Sequence, residues 1–262
     1  LELGSIAPCK CADMVLISDL EKCVVDEVFI DGELVAKGGK ALFERKKYSY
    51  PEEYRHSINL DKVDESAFKI AADGNVRVHV IEVIPAKTST IDKIVEMTAQ
   101  NGELKADPAH DIMKACVFER HHRTGNVGKG FITGFGIKDG ALAQTVAHDA
   151  HNLLVVGTND SDMALAVNTL IECGGGLVAV KDGKIIGLVE LPVAGLMNDV
   201  PVEEMEEKVK VLETAWKELG CALPSPFMTM SIVSLACLPE VRITDRGLVD
   251  CRTFKFLDLI EK

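Results

Sequence analysis

Four of the seven histidines of this chain lie between positions 121 and 151, in two short polar clusters. The first cluster is Glu119 to Asn126 (ERHHRTGN), and the second is Ala147 to Asn152 (AHDAHN). Imidazole gains or loses a proton near neutral pH and binds transition metals, and a neighbouring carboxylate orients the ring or accepts a proton. Each cluster follows a predicted strand, where loops commonly carry function. We therefore predict a polar site built from both clusters.

The spacing limits how these histidines act together. His121 and His122 are adjacent, so on a strand they point to opposite faces. His148 and His151 are three apart, which places them on one face only if the segment makes a helical turn. A shared metal therefore requires residues 147–152 to leave the strand and turn. The alternative is that both clusters only cap and hydrogen-bond tight loops, and the residues alone leave both interpretations open.

Other motifs are weaker. Gly125-x-x-Gly128-x-Gly130 reverses the glycine spacing of a dinucleotide-binding loop and leads into a strand instead of a helix, so phosphate binding is not indicated. No Gly-x-Ser-x-Gly elbow is present, and no cysteine has a histidine partner nearby in sequence. A serine or cysteine nucleophile is therefore not predicted.

The composition excludes further classes. With 29 basic and 41 acidic residues the 262-residue chain has a net charge of −12, which argues against nucleic-acid binding. No apolar run approaches the roughly 18–20 residues of a membrane span. The eight cysteines include no Cys-x-x-Cys pair, which favours reduced thiols and a cytoplasmic location. The length and the 47% hydrophobic content suit one large domain or two smaller ones.

The first part of the chain is typical of short strands. Ala12–Ser18 and Val24–Ile30 are rich in β-branched residues, and Asp31-Gly32 predicts a hairpin turn after them. Lys40–Asn59 is charged, lacks a clear period and predicts a connector. We therefore expect one domain over residues 1–55 and a second over 56–262.

The second part predicts mixed elements. The clear alternation of Asn75–Ile84 indicates a strand, and apolar residues at helical spacing predict a helix over Thr88–Gln100. Lys138-Asp139-Gly140 and Lys181-Asp182-Gly183 each predict a hairpin turn. Ala115–Glu119 and Leu153–Val156 are predicted strands. Helices are predicted over Asp160–Cys173, ended by Gly174, and between Pro201 and Gly220. The predicted fold class is α+β, with a mixed, hairpin-rich sheet and packed helices.

Several long motifs resemble the C-terminal domain of bacterial-type adenine deaminases, which are amidohydrolases. In addition, Gly4–Pro8 and Ala12–Leu16 resemble the strand pair that closes the small β-sandwich of amidohydrolases, so the first strands are expected to be a hairpin remnant of that sandwich. The motifs that carry the resemblance to the deaminases are Val117–Phe131, Thr145–Gly157, Asp162–Asn168, Gly174–Leu177, Leu191–Met197, Pro226–Thr229, Leu238–Glu240 and Thr244–Leu248.

The resemblance implies a function for a longer protein. That function is hydrolysis of adenine to hypoxanthine and ammonia in purine salvage, with manganese or iron lowering the pKa of a bound water. Amidohydrolases bind their metals through a His-x-His motif on a catalytic barrel, and these 262 residues contain no His-x-His. The resemblance therefore implies that the barrel lies upstream, that no metal ligand lies in this chain, and that the chain is inactive alone.

The resemblance also suggests roles for the two clusters. They would face the barrel mouth and enclose the purine, with neutral imidazole and amide groups matching its edge. The expected catalytic candidates are His121, His122, His148 and Asp149, and the expected substrate-binding residues are Glu119, Asn126, His151 and Asn152. The expected partners are adenine, the missing barrel and further copies in a homo-oligomer. Two alternatives stay open: a structural or oligomerisation domain of the same enzyme, and a self-contained metal-dependent hydrolase.

Overall fold

The computed structural model describes residues 2–44 and 48–261. Residues 45–47, which fall in the predicted connector, and the two terminal residues lie outside the described residues. The chain divides into two compact units, Leu1–Ser49 and Tyr50–Lys262.

The smaller unit is a four-stranded antiparallel sheet in the order β1-β2-β3-β4. Both predicted strands are confirmed, and so is the turn: Asp31 (φ 48°) and Gly32 (φ 81°) adopt the left-handed conformations of a tight hairpin. None of its described residues is buried, and apolar side chains are exposed on both faces of the sheet. The strands are β1 (Met14–Asp19), β2 (Val24–Ile30), β3 (Glu33–Lys37) and β4 (Lys40–Ala41).

The larger unit is built on an eight-stranded mixed sheet in the order β12-β11-β9-β10-β7-β8-β5-β6. All neighbouring strands are antiparallel except β5 and β8, which pair in parallel. Its strands are β5 (Asn75–Val83), β6 (Thr90–Thr98), β7 (Met113–Phe118), β8 (Val127–Thr133), β9 (Ala141–Gln144), β10 (Leu153–Gly157), β11 (Gly176–Lys181) and β12 (Lys184–Glu190).

Helices cover both faces of this sheet. Alternate residues of a strand point to opposite faces, and in β10 Leu153 and Val155 belong to one buried cluster while Leu154 and Val156 belong to another. The first cluster includes one helix, α2, and the second includes two, α3 and α4. The helices are α1 (Glu52–Arg55), α2 (Asp160–Cys173), α3 (Val202–Glu218) and α4 (Pro226–Val233).

The two long helices match their predictions. α2 covers the predicted range, is capped by the Asn159 side chain and ends at Gly174 in the left-handed conformation (φ 80°). α3 follows Pro201 and ends just before Gly220. No helix among the described residues combines the length and apolar character that a membrane crossing needs. The α+β fold class, with a large mixed sheet and a separate small hairpin sheet, is confirmed.

A third, three-stranded sheet packs against β8. The contact is very close at Gly128, where a β-carbon would lie 1.8 Å from the carbonyl oxygen of Thr244. Only glycine allows this approach, which brings the loop after Thr244 to the first polar cluster. The strands are β13 (Val241–Thr244), β14 (Gly247–Asp250) and β15 (Lys255–Leu257).

The predicted helix over Thr88–Gln100 is wrong, because this segment forms β6. Ile91, Ile94 and Val95 have helical spacing, but β6 pairs with β5 along its whole length, from Thr90 opposite Val83 to Thr98 opposite Asn75. Complete pairing with a neighbouring strand supplies the backbone hydrogen bonds that an isolated helix would otherwise make. Tertiary pairing therefore overrides the local apolar period.

The predicted hairpin at Lys138-Asp139-Gly140 is also wrong. β8 ends at Thr133, and two strands, β7 and β10, separate it from β9 in the sheet. The carboxylate of Asp111 accepts hydrogen bonds from the backbone nitrogens of Gly134 and Gly136, both at 2.7 Å, and so turns the chain away from the sheet. The second predicted hairpin, at Lys181-Asp182-Gly183, is confirmed as the β11–β12 connection.

Candidate functional site

The first polar cluster is a loop organised around the buried carboxylate of Glu119. This carboxylate accepts hydrogen bonds from the backbone nitrogens of His121 (2.5 Å), His122 (2.9 Å) and Thr124 (3.1 Å), and from the Thr124 hydroxyl. Burial alone raises the pKa of Glu119, but these hydrogen bonds outweigh it and lower the pKa to about 2. Both oxygens are therefore occupied in holding the loop that carries His121 and His122.

The neighbouring Arg120 is fully buried, and its side-chain hydrogen-bond partners among residues 2–44 and 48–261 are carbonyl and hydroxyl oxygens. Its guanidinium donates to the carbonyl oxygens of His151 (2.5 Å), Ala194 (3.0 Å) and Ser57 (3.3 Å). Burial lowers the pKa of Arg120 to about 10, against the opposing effect of Glu119. Arg120 thus joins three segments that are far apart in sequence.

The second polar cluster leaves the sheet and turns, as a shared site requires. The backbone of His148 is held from both sides: its nitrogen donates to the Ser231 carbonyl, and its carbonyl accepts from the Ser234 hydroxyl. The backbone nitrogen of His151 donates to the Ala147 carbonyl at 2.6 Å. The turn brings the imidazole rings of His148 and His151 to a centroid distance of 5.8 Å.

Direct hydrogen bonds join the two loops. His121 Nε2 lies 2.7 Å from the carbonyl oxygen of Ala150, and the backbone nitrogen of Arg120 donates to Asn152 Oδ1. The amides of Asn126 and Asn152 both donate to the carboxylate of Asp245, at 3.2 and 3.3 Å. The two clusters therefore form one surface, and hydrogen bonds to Asp245 in the loop after β13 stabilise it.

The predicted site residues separate into two groups on this surface. Glu119 and Asn152 are buried, and together with the exposed Asn126 they are engaged in holding the loops. His122 and Asp149 are exposed and His148 is half-buried, and none of these three side chains hydrogen-bonds to a described residue. His121 and His151 lie between the groups. We call His121, His122, His148 and His151 the histidine cluster.

The surroundings of His151 lower its pKa. Burial is the largest cause, the electrostatic effects of His148, Arg120 and His121 act in the same direction, and Asp149 opposes them. Nδ1 of His151 is buried without a hydrogen-bond partner among the described residues. An imidazole nitrogen can donate or accept one hydrogen bond, a capacity that no described residue uses at this nitrogen.

The main cavities among the described residues lie away from these histidines. Among the described residues no group of three His, Cys, Asp or Glu side chains has a geometry that could hold a metal ion. A cavity of about 790 Å³ lies elsewhere, between β6 and residues 105–112. A shallow depression between Gly125–Lys129 and Asp245–Gly247 includes Asn126 but no histidine. Of the histidine cluster, only His122 is exposed, and the other three members are half-buried.

Sequence reasoning missed two residues of this surface. Arg120 and Asp245 were not predicted, although both lie within motifs that carry the family resemblance. A basic residue inside a polar run that follows a buried strand is one signal for Arg120. The partners of Arg120 at Ser57 and Ala194 have no such signal, because they are distant in sequence.

The sequence comparisons assign the chain to a family of C-terminal domains. The chain belongs to the adenine deaminase C-terminal domain family, whose match covers residues 87–255. It is 57% identical over 261 residues to an adenine deaminase of Clostridium botulinum (strain 657 / Type Ba4) and 48% identical over 263 residues to that of Moorella thermoacetica. These alignments cover 98% and 99% of the chain but 44% of each relative, so the chain spans less than half of their length.

Proposed function

We propose that this chain is the C-terminal part of an adenine deaminase, which converts adenine and water to hypoxanthine and ammonia. The observation that carries the proposal is 57% identity to an adenine deaminase along 98% of the chain. At that identity, with the polar loops aligned in the match, conservation of the reaction is the expected outcome. We further propose a cytoplasmic enzyme of purine salvage that works as a homo-oligomer.

The proposed domain division places residues 1–55 at the end of an amidohydrolase β-sandwich and residues 56–262 in the C-terminal α/β domain. The small sheet supports this, since Val15, Leu16 and Ile17 of one strand are all more than 40% exposed. Consecutive residues point to opposite faces, so both faces present apolar area to solvent. Such a sheet is the expected remnant of a larger layered structure.

The proposed role of the histidine cluster is to close the active site over the purine. His121, His122, His148 and Asp149 are the candidates for contact with the reacting base, and His151 is a candidate for binding its edge. Glu119, Asn126 and Asn152 act indirectly, because their hydrogen bonds hold the loops that carry the histidines. Manganese or iron is the proposed metal of the whole enzyme, and its ligands are proposed to lie outside this chain.

A chimera tests the proposal. The 262 residues replace the matching 261 residues of the Clostridium botulinum relative, and adenine-dependent ammonia release is measured against the unmodified relative. We expect activity within about tenfold of the relative, and no ammonia release from the isolated chain. A folded, metal-loaded chimera without activity would refute the proposal, whereas activity of the isolated chain would refute the need for a barrel.

A structural or oligomerisation role is the second candidate. The observation that favours it is the full engagement of Glu119 and Arg120 in holding the loops. Under this alternative, substitution of His121 or His148 in the active chimera leaves turnover and adenine affinity unchanged.

A further inference from the structure

The segment Tyr54–Asn59, which we call the connecting segment, contacts the histidine loops directly. The backbone nitrogen of Asn59 donates to the Arg120 carbonyl at 2.7 Å, and Asn59 Nδ2 donates to the His121 carbonyl at 2.9 Å. Both the carbonyl and the hydroxyl of Ser57 accept from Arg120 Nη1 at 3.3 Å. The segment that follows the small unit in the chain is therefore bonded to the loop that carries His121.

Arg120 extends this connection to the second loop. Its Nε donates to the backbone carbonyl of His151, and its Nη2 donates to the carbonyl of Ala194. The Ala194 backbone nitrogen in turn donates to the Tyr54 carbonyl at 2.6 Å. Gly195 packs so closely on the guanidinium that a β-carbon there would lie 2.9 Å from Nη2. The planar guanidinium thus binds three segments at fixed angles, which a lysine ammonium does not reproduce.

The ring of His151 depends on this backbone contact. Its Nδ1 is buried without a partner, and no described residue hydrogen-bonds to the ring. The position of the imidazole then follows the position of its backbone, which is held by Arg120 at the carbonyl and by Ala147 at the nitrogen.

We propose that Arg120 is a positioning residue that couples the connecting segment to the histidine cluster, so that a displacement of residues 54–59 moves His121 and His151 together. Arg120 acts through these two histidines. The consequence for catalysis rests on the proposed function, whereas the coupling itself is a property of this chain.

Arg242 offers a matched control. It is also fully buried, and its guanidinium donates to the backbone carbonyls of Leu238, Thr88 and Pro239, none of which belongs to the histidine loops. Replacement of either arginine by methionine removes a buried cation held by backbone carbonyls. An effect that comes only from loss of a buried cation should therefore appear in both Arg120→Met and Arg242→Met. An effect on the position of the histidines should appear only in Arg120→Met.

The test uses the 262-residue chain and histidine-selective NMR. In Arg120→Met we expect the His151 pKa to rise toward its ordinary value, because the variant removes a nearby positive charge and opens the buried loop, while His148, His121 and Asp149 remain. Arg242→Met should leave the His151 titration unchanged. Asn59→Ala, which removes only an exposed amide, should shift the imidazole resonances of both His121 and His151.

The coupling is overturned by an Asn59→Ala spectrum in which both imidazoles are unmoved, because this variant leaves every charge around His151 in place. If Arg120→Met does not fold, the Asn59→Ala result decides alone. In the active chimera, Arg120→Lys should lower kcat/KM by about 10- to 100-fold through misplacement of the loops, while Arg242→Lys stays within about twofold. An inactive parent chimera refutes the proposed function and leaves the NMR result standing.

Discussion

His121 Nε2 donates a hydrogen bond to the carbonyl oxygen of Ala150 at 2.7 Å, so an imidazole joins the two polar loops. A carbonyl oxygen only accepts, which assigns the proton to Nε2 and leaves Nδ1 of a neutral ring as an acceptor. The tautomer of His121 is therefore set by a residue 29 positions further along the chain.

Substitution of His121 or His148 should lower catalysis in the active chimera. We expect His121→Ala and His148→Ala each to reduce kcat/KM for adenine at least about tenfold, the equivalent of one lost hydrogen bond in a site. His110→Ala is the control, because His110 is exposed beside Asp107 in a different part of the large unit. Steady-state ammonia release measures the effect, and unchanged values for both variants would exclude contact between this surface and the purine.

Glu119→Gln should destabilise the larger unit at neutral pH. Four donors face this carboxylate, and one amide NH₂ group would oppose some of them, so we expect a loss of about 1.5–3 kcal/mol. The folded pKa of about 2 lies below the ordinary value of 4.5. The stabilisation is therefore complete above pH 4.5 and is lost as the pH falls toward 2.

Urea unfolding at pH 7 and at pH 3 measures this dependence. The difference between the wild type and Glu119→Gln should shrink at the lower pH. Glu96→Gln, a change at an exposed position on β6, should have little effect at either pH. An equal difference at both pH values would show that the carboxylate charge does not stabilise the loop.

Lys114→Met should be strongly destabilising. The buried Lys114 ammonium donates to Glu103 (2.9 Å), Asp160 (2.8 Å) and the Phe68 carbonyl (3.0 Å). Its removal leaves two carboxylates, each 12% exposed, without their buried cation, which costs about 3–5 kcal/mol. Lys105→Met removes a half-exposed lysine from the same carboxylates and should cost about 1 kcal/mol or less. Chemical denaturation of the two variants should show this order, and equal losses would contradict it.

Gly128→Ala should disrupt the contact between β8 and the third sheet. The new methyl group would lie 1.8 Å from a backbone oxygen, so the backbone itself must move, at a cost of about 3 kcal/mol or more. Gly130→Ala on the same strand meets the flexible Leu248 side chain at 3.1 Å and should cost clearly less. Thermal unfolding compares the two. A Gly128→Ala protein as stable as Gly130→Ala would show that the close contact is not required.

Local chemistry made some elements predictable from the sequence. α2 has a capping asparagine and a glycine stop, and the turns after β2 and β11 have Asp-Gly at the positions that require left-handed backbone. Other elements were determined by their tertiary contacts and could not be predicted locally. β6 has a helical apolar period that only its pairing with β5 overrides, and Asp111 ends β8 from a different loop.

The candidate site was also predictable only from its local residue types and not from its long-range contacts. The residue types of the two clusters predicted that they would act together, and the turn at His148–His151 and the bond from His121 to Ala150 are the contacts that join them. Arg120, Ser57 and Ala194 meet across more than 130 positions of sequence. Long-range contacts of this kind have no local period or motif, so the sequence did not reveal them.

The small sheet also affects how this chain behaves in the laboratory. Strands rich in valine and isoleucine, with apolar side chains exposed on both faces, resemble the segments that recruit further strands in aggregates. Concentrated samples of the 262-residue chain should bind hydrophobic dyes and self-associate through residues 14–30. A shortened protein that begins at Tyr50 should stay monodisperse at higher concentration and is the better starting point for crystals.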